Sequence, residues 1–123
     1  MLMAAAGSGS LETVQYFLDL GADPNAMESD KSSALHHAAA STNQGSILCV
    51  KALIENSACN IDTRDLHGCT PLMIAASTGN AGACALFLKH GAQINSPDNN
   101  GLTPLMRAVR AGHIAASQAC ISH

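Results

Sequence analysis

Three segments of this chain repeat one pattern. Ser33-Ala-Leu-His-His-Ala-Ala39 returns as Thr70-Pro-Leu-Met-Ile-Ala-Ala76 and again as Thr103-Pro-Leu-Met-Arg-Ala-Val109. Thr70 and Thr103 lie 33 residues apart. A period in that range marks a stack of small structural units, each of which buries its apolar face only against its neighbours. Such a stack offers an extended surface for holding another molecule. It does not by itself offer a catalytic cleft.

Each copy carries further landmarks. A glycine follows the Ala-Ala pair at Gly9, Gly79 and Gly112. Apolar residues then recur at helical spacing: Val14, Phe17 and Leu18; Val50, Leu53 and Ile54; Cys84, Phe87 and Leu88. Gly21-Ala22 and Gly91-Ala92 end these stretches, with Ser57-Ala58 as a weaker copy, and Asp65–Gly68 and Asp98–Gly101 form turn segments. The mechanics are specific. Thr70 and Thr103 can accept a backbone N–H as helix caps. Pro71 and Pro104 then occupy the first helical position, where a missing N–H is harmless. Leu72 and Leu105 should be buried, and the alanines allow close helix approach. Gly79 and Gly112 suit a tight turn between antiparallel helices. Gly21 and Gly91 suit helix C-termini. Helices are therefore expected at Leu2–Gly7, Leu11–Leu20, Ala34–Ser41, Ile47–Asn56, Pro71–Thr78, Ala81–His90, Pro104–Arg110 and Ile114–Ile121.

On these residues the chain resembles the ankyrin repeat family over nearly its whole length. The resemblance implies an all-α solenoid of antiparallel helix pairs with projecting β-turn or hairpin loops. It divides one domain into repeats near 1–27, 28–64, 65–97 and 98–123. Several positions depart from the pattern. Ser33-Ala34 replaces Thr-Pro, and Lys31 stands where Gly68 and Gly101 stand. If that place needs a left-handed backbone, lysine costs roughly 1 kcal/mol there, so the Met27–Ser33 turn is expected to differ or move. Thr42-Asn43-Gln44 is an insertion between helices. The histidine usual after leucine appears only as His36, with Met3, Met73 and Met106 in the other copies.

Composition narrows the function. Hydrophobic residues make up 47% of the chain but aromatics only 2%, so the core must be built from small and aliphatic side chains. The net charge is −3 and no basic run occurs, which argues against phosphate-mediated nucleic-acid binding. No apolar stretch approaches the ~20 residues of a membrane span. The opening Met1–Ala6 lacks a charged leader and reads as a first helix. Five cysteines without motif spacing fit free thiols in a reducing, intracellular setting, cytoplasm or nucleus.

The six histidines and five cysteines include no pair at two-residue cysteine spacing, so no metal is expected. No phosphate-binding loop or nucleophile elbow is present, so neither cofactor nor catalysis is expected. Asp65 and Asp98 hold equivalent turn places, which a structural role explains.

The remaining function is protein binding, with a structural spacer or regulatory segment of a longer ankyrin protein as the alternative. The resemblance implies a concave groove lined by turn tips and first helices. Carried over, its tip residues are Met27, Ser29, Asp30, Ser32, Leu66, His67, Cys69, Asn99, Asn100 and Leu102. Its helix residues are Ala40, Ser41, Ser77, Thr78, Arg110 and Ala111. Met27, Leu66 and Leu102 either form one apolar stripe or are single exposed residues of the ordinary kind. Arg107 and Arg110 are three apart and share a helix face, suited either to an acidic partner or simply to solvent. The resemblance also implies that Asn95, and less so Asn25 after the stiff Pro24, is a site for an asparaginyl hydroxylase. Both ends of the chain look cut within repeats. Self-association through uncapped ends is therefore expected.

Overall fold

The computed structural model describes residues 6–7, 9–41, 45–56 and 59–121. Most of the expected Leu2–Gly7 helix, the Thr42–Gln44 insertion and Ser57-Ala58 lie outside the described residues. Ala6 and Gly7 are helical. Among the described residues there are seven further helices and no strand: α1 Leu11–Asp19, α2 Ala34–Ala40, α3 Ser46–Glu55, α4 Pro71–Thr78, α5 Ala81–Lys89, α6 Pro104–Ala111 and α7 Ile114–Ile121. Each lies within one residue of its expected bounds.

The helices form two rows. First helices stack as α2, α4 and α6; second helices stack as α1, α3, α5 and α7, and each first helix packs on the second helix that follows it. Local chemistry sets the breaks. Thr70 Oγ1 accepts the Met73 N–H and Thr103 Oγ1 the Met106 N–H, both at 3.3 Å. Gly79 and Gly112 end α4 and α6 at φ +78°, in the left-handed conformation that glycine adopts without a Cβ penalty. At α2 the cap is closed by a different group: His36 Nδ1 accepts the Ser33 N–H at 3.1 Å.

The core runs between the rows. Leu35, Val50, Leu53, Leu72, Cys84 and Phe87 are among its fully enclosed members, with alanines 38, 39, 75, 76, 83 and 108 letting the helices approach. Leu72 is buried as expected. Leu105 is only partly buried, because among the described residues α6 is packed by α4 and α7 and by no further first helix.

The projecting turns keep one geometry. Glu28, Asp65 and Asp98 donate their N–H groups to the carbonyls of Ser32, Cys69 and Leu102, at 3.0, 3.0 and 2.9 Å. The N–H groups of Lys31, Gly68 and Gly101 return to Glu28, Asp65 and Asp98. Lys31 adopts φ +64° where the glycines have +75° and +82°. The Met27–Ser33 turn therefore neither differs nor moves. Its bonds hold lysine in the left-handed region, and Asp30 Oδ1 supports the turn by accepting the Ser32 N–H at 3.0 Å. Successive tips are also joined. Leu66 N–H donates to Asp30 O and Asn99 N–H to His67 O, each at 3.0 Å.

Candidate functional site

The matched turns fix a register for every expected contact residue. Two rows of exposed tip residues follow from it: Ser29, Leu66 and Asn99, then Asp30, His67 and Asn100. Asn99 also braces the preceding tip, its Nδ2 donating to Leu66 O at 3.0 Å. Backbone N–H bonding from Ser32 holds the Asp30 carboxyl below the usual value. Met27, Leu66 and Leu102 occupy three different turn positions. They stand respectively before the turn, at its second residue and at its closing residue, so they form no single column.

Three expected contact residues are used by the fold. Cys69 is buried, 3% exposed, because the closing position of its turn points under α6. Burial pushes its thiol above the ordinary range, even though Arg107 Nη2 lies 2.9 Å from its Sγ. Thr78 turns its hydroxyl onto backbone, its one proton shared among the carbonyl oxygens of Ala39, Ile74 and Ala75 at 3.1 Å each, the first of them on α2. Arg107 does not extend freely into solvent. Its Nε and Nη2 donate to Asp98 Oδ2 at 3.0 and 2.5 Å, and its Nη1 to Ser77 Oγ at 3.2 Å.

Asp98 is itself enclosed. Its Oδ1 accepts the N–H groups of Asn100 and Leu102 at 2.8 and 2.9 Å. Burial alone would raise its pKa, but the Leu102 N–H, Arg107 and the Asn100 N–H outweigh it and hold the carboxyl below its ordinary value. The same pair of positions carries His37 and Glu28 in the second repeat, where His37 Nε2 meets Glu28 Oε1. In the third repeat Ile74 takes the basic place. This recurring tie between turn and first helix escaped the sequence reading. Its signal was a base nine residues after the first acid of the turn.

Ser77, Leu102, Arg107, Arg110 and Ala111 come together around a shallow concavity of about 290 Å³ on the inner face of α4 and α6. Four of the carried-over residues, together with Arg107, thus share one depression. Arg110 is exposed at its edge, one turn from Arg107. Met27, Ser29 and Asp30 are exposed at the other end of the tip rows, where Ser32 is partly buried. In the first-helix row Ala40 is exposed and Ser41 partly buried beside them.

A second ladder runs behind the turns. Asn25 Oδ1 accepts the Asn60 N–H at 2.6 Å, and Asp62 Oδ1 accepts the Gln93 N–H at 3.0 Å. Asn95 is the next residue in that series and is exposed. All five cysteines are free. Burial raises Cys59 to about 11 and Cys84 to about 12, as befits packed thiols and not nucleophiles. Among the described residues no group of His, Cys, Asp or Glu is placed to hold a metal, and no helix is long and apolar enough to cross a membrane.

A family model described as ankyrin repeats in three copies matches residues 2–98 and, overlapping, 39–122. Among curated proteins, delta-latroinsectotoxin-Lt1a of Latrodectus tredecimguttatus is 36% identical over 78 residues, 63% of this chain and 6% of the toxin. RelA-associated inhibitor of Mus musculus is 35% identical over 94 residues, 76% of this chain and 11% of that protein. Transient receptor potential cation channel subfamily A member 1 of Homo sapiens is 29% identical over 92 residues, 75% of this chain and 8% of the channel. The chain thus spans about a tenth or less of the length of these relatives. Ankyrin repeats generally mediate protein–protein interaction and are typically non-enzymatic. With the repeated cap, helix pair and turn on one side and the family match on the other, the chain belongs to the ankyrin repeat family.

Proposed function

We propose that this chain is a non-catalytic interaction module that holds a partner protein along its turn tips and first helices, acting as one domain divided near residues 27, 64 and 97 within an intracellular protein. The observation that carries this reading is the concavity where the tip residue Leu102 meets Ser77, Arg107 and Arg110. It continues into the exposed rows of Ser29, Leu66, Asn99 and of Asp30, His67, Asn100. Cys69 and Thr78 are withdrawn from the contact set because the fold consumes them. The test is an alanine scan of the exposed groove residues, with bound proteins from a cell lysate quantified by mass spectrometry. Loss of one common set of proteins, with helicity unchanged, supports the groove. Retention of every bound protein by all variants ends the reading.

A second reading, a segment within a longer array, is favoured by one observation. Met73 and Ala76 are fully buried, whereas their counterparts Met106 and Val109 are 50% and 62% exposed. Ile114 and Ile121 extend this apolar end face, which encloses a depression of about 330 Å³. Self-association through that face is part of the proposal. We further propose Asn95, ahead of Asn25, as the hydroxylation site, since Asn25 is partly buried and engaged with Asn60. Co-expression with an asparaginyl hydroxylase should add one oxygen at Asn95 by mass spectrometry; an unmodified Asn95 removes the idea.

A further inference from the structure

The concavity on α4 and α6 has a chemistry of its own. Its lining comprises two arginines, a serine hydroxyl and the apolar side chains of Leu102 and Ala111, with no carboxylate among them. The acid beneath it, Asp98, is fully enclosed under Arg107 and is spent on it and on two backbone N–H groups. The charge of Arg107 is thus matched from below, whereas Arg110 is exposed at the rim.

The two arginines play different parts. A guanidinium has five N–H donors. Four bonds from Arg107, two to Asp98, one to Ser77 and one to Cys69, fix its plane across the gap between the third and fourth repeats. It forms a rigid wall with a donor edge and loses little freedom when a ligand arrives. Arg110 stands one turn further along the same face of α6. It supplies the net positive charge in a fork suited to a carboxylate. The equivalent inner-helix positions in earlier repeats are Ala40 and Ser77, so this charge is confined to the fourth repeat. At the opposite end of the turn rows the two exposed acids Glu28 and Asp30 outnumber the exposed Lys31, with Glu28 set against His37. Within a chain of net charge −3, the groove is therefore polarised along its length, with its positive end at α6.

We infer that this end of the groove recognises an acidic peptide segment of the partner, seating an Asp or Glu carboxylate on Arg110 against the Arg107 wall and a neighbouring apolar side chain on Leu102 and Ala111. The inference rests on the groove reading above and names the partner's chemistry at one end of it. Charge complementarity sets the orientation. A segment acidic at the end lying on α6 avoids repulsion from Glu28 and Asp30, and the reversed segment meets it.

The test uses the full chain and two defined probes: a short peptide alternating leucine with glutamate, and its leucine–glutamine counterpart. Binding is followed by backbone amide shifts of isotope-labelled protein at low and at moderate salt. The expected result is a preference of about tenfold for the glutamate peptide. Its shifts should gather at Ser77, Leu102, Arg110 and Ala111, and the preference should shrink as salt rises. Arg110→Glu should erase the preference and Arg110→Lys should keep most of it. Arg110 is exposed, so neither variant disturbs the core. Equal affinities for the two peptides, no binding of either, or shifts confined to Val109 and Ile114 would overturn the inference. If the alanine scan still finds a groove partner in that case, the acidic specificity falls and the groove reading stands. If the scan fails as well, both fall.

Discussion

His36 bridges two repeats: its Nε2 donates to the Cys69 carbonyl oxygen at 2.7 Å, and its Nδ1 accepts the Ser33 N–H at 3.1 Å. One buried ring therefore caps α2 and ties the second repeat to the turn of the third. Together the two bonds select the neutral ring with its proton on Nε2; a second proton, on Nδ1, removes the Ser33 bond. Burial holds the His36 pKa below its ordinary value, although the Cys69 carbonyl pulls the other way.

Acid should therefore weaken the fold through this residue. In the unfolded chain the histidine takes up a proton as pH falls through about 6.5, whereas the folded chain resists it. Its contribution is complete above that pH and is lost progressively below it. The limiting slope is about 1.4 kcal/mol per pH unit for one proton. Urea midpoints measured from pH 7 to pH 5 should fall, and His36→Gln should be weaker at pH 7 but flatter across the range. A wild-type midpoint that does not move over this interval would refute the assignment.

The Arg107–Asp98 tie should be worth more than a surface ion pair, because the Asp98 side chain is fully enclosed and Arg107 is only 20% exposed. Arg107→Met leaves that carboxylate with backbone donors alone. A cost of about 1.5–3 kcal/mol is expected. Combination with Asp98→Asn in a double-mutant cycle should reveal strong coupling. Additive effects would show that the two side chains act separately.

Core leucines should not be equivalent. Leu72→Ala removes an enclosed side chain and should cost ~2–5 kcal/mol, whereas Leu105→Ala, at a partly buried position, should cost about half as much. Denaturant melts of both variants check the order; a larger loss at Leu105 would contradict it.

Lys31 and Gly68 occupy one turn position under different constraints. Lys31→Gly relieves a left-handed backbone worth roughly 1–2 kcal/mol and gives some of it back as unfolded-chain entropy. A net gain of up to about 1 kcal/mol should appear in thermal melts. Gly68→Ala should be the more damaging change. A Cβ there would overlap Asn99 Oδ1 and lie 2.9 Å from the Asn99 backbone nitrogen, so the next tip must shift.

The exposed end face should drive association. Val109, Ile114 and Ile121 are each more than half exposed, and uncovered apolar area favours burial at roughly 25 cal/mol per Å² before association costs. Light scattering over a concentration series should show growth above the monomer, and Ile114→Glu with Ile121→Glu should suppress it. A strict monomer at high micromolar concentration would mean that the face is tolerated bare.

Helix positions were legible because each break is a local event. Thr70, Pro71, Gly79 and their counterparts act within a few residues of themselves, and the apolar stripes declare a face without reference to neighbours. The turn at Lys31 was read less well. A lysine disfavours the left-handed conformation on its own, yet the bonds from Glu28 to Ser32 and from Leu66 to Asp30 impose it. The candidate groove was legible as a set of positions but not as a set of roles. Cys69, Thr78 and Arg107 looked exposed because their places in the repeat face outward. What each side chain does depends on the neighbouring repeat: a buried sulfur beneath α6, a hydroxyl reaching Ala39, a guanidinium over Asp98. The sequence by itself determined the repeat, its helix pairs and its family, since these rest on caps, glycines and spacing within one unit. Only the tertiary structure decided which outward residues remain free for a partner, because hydrogen bonds and burial between units compete for the same side chains across 33 residues of chain.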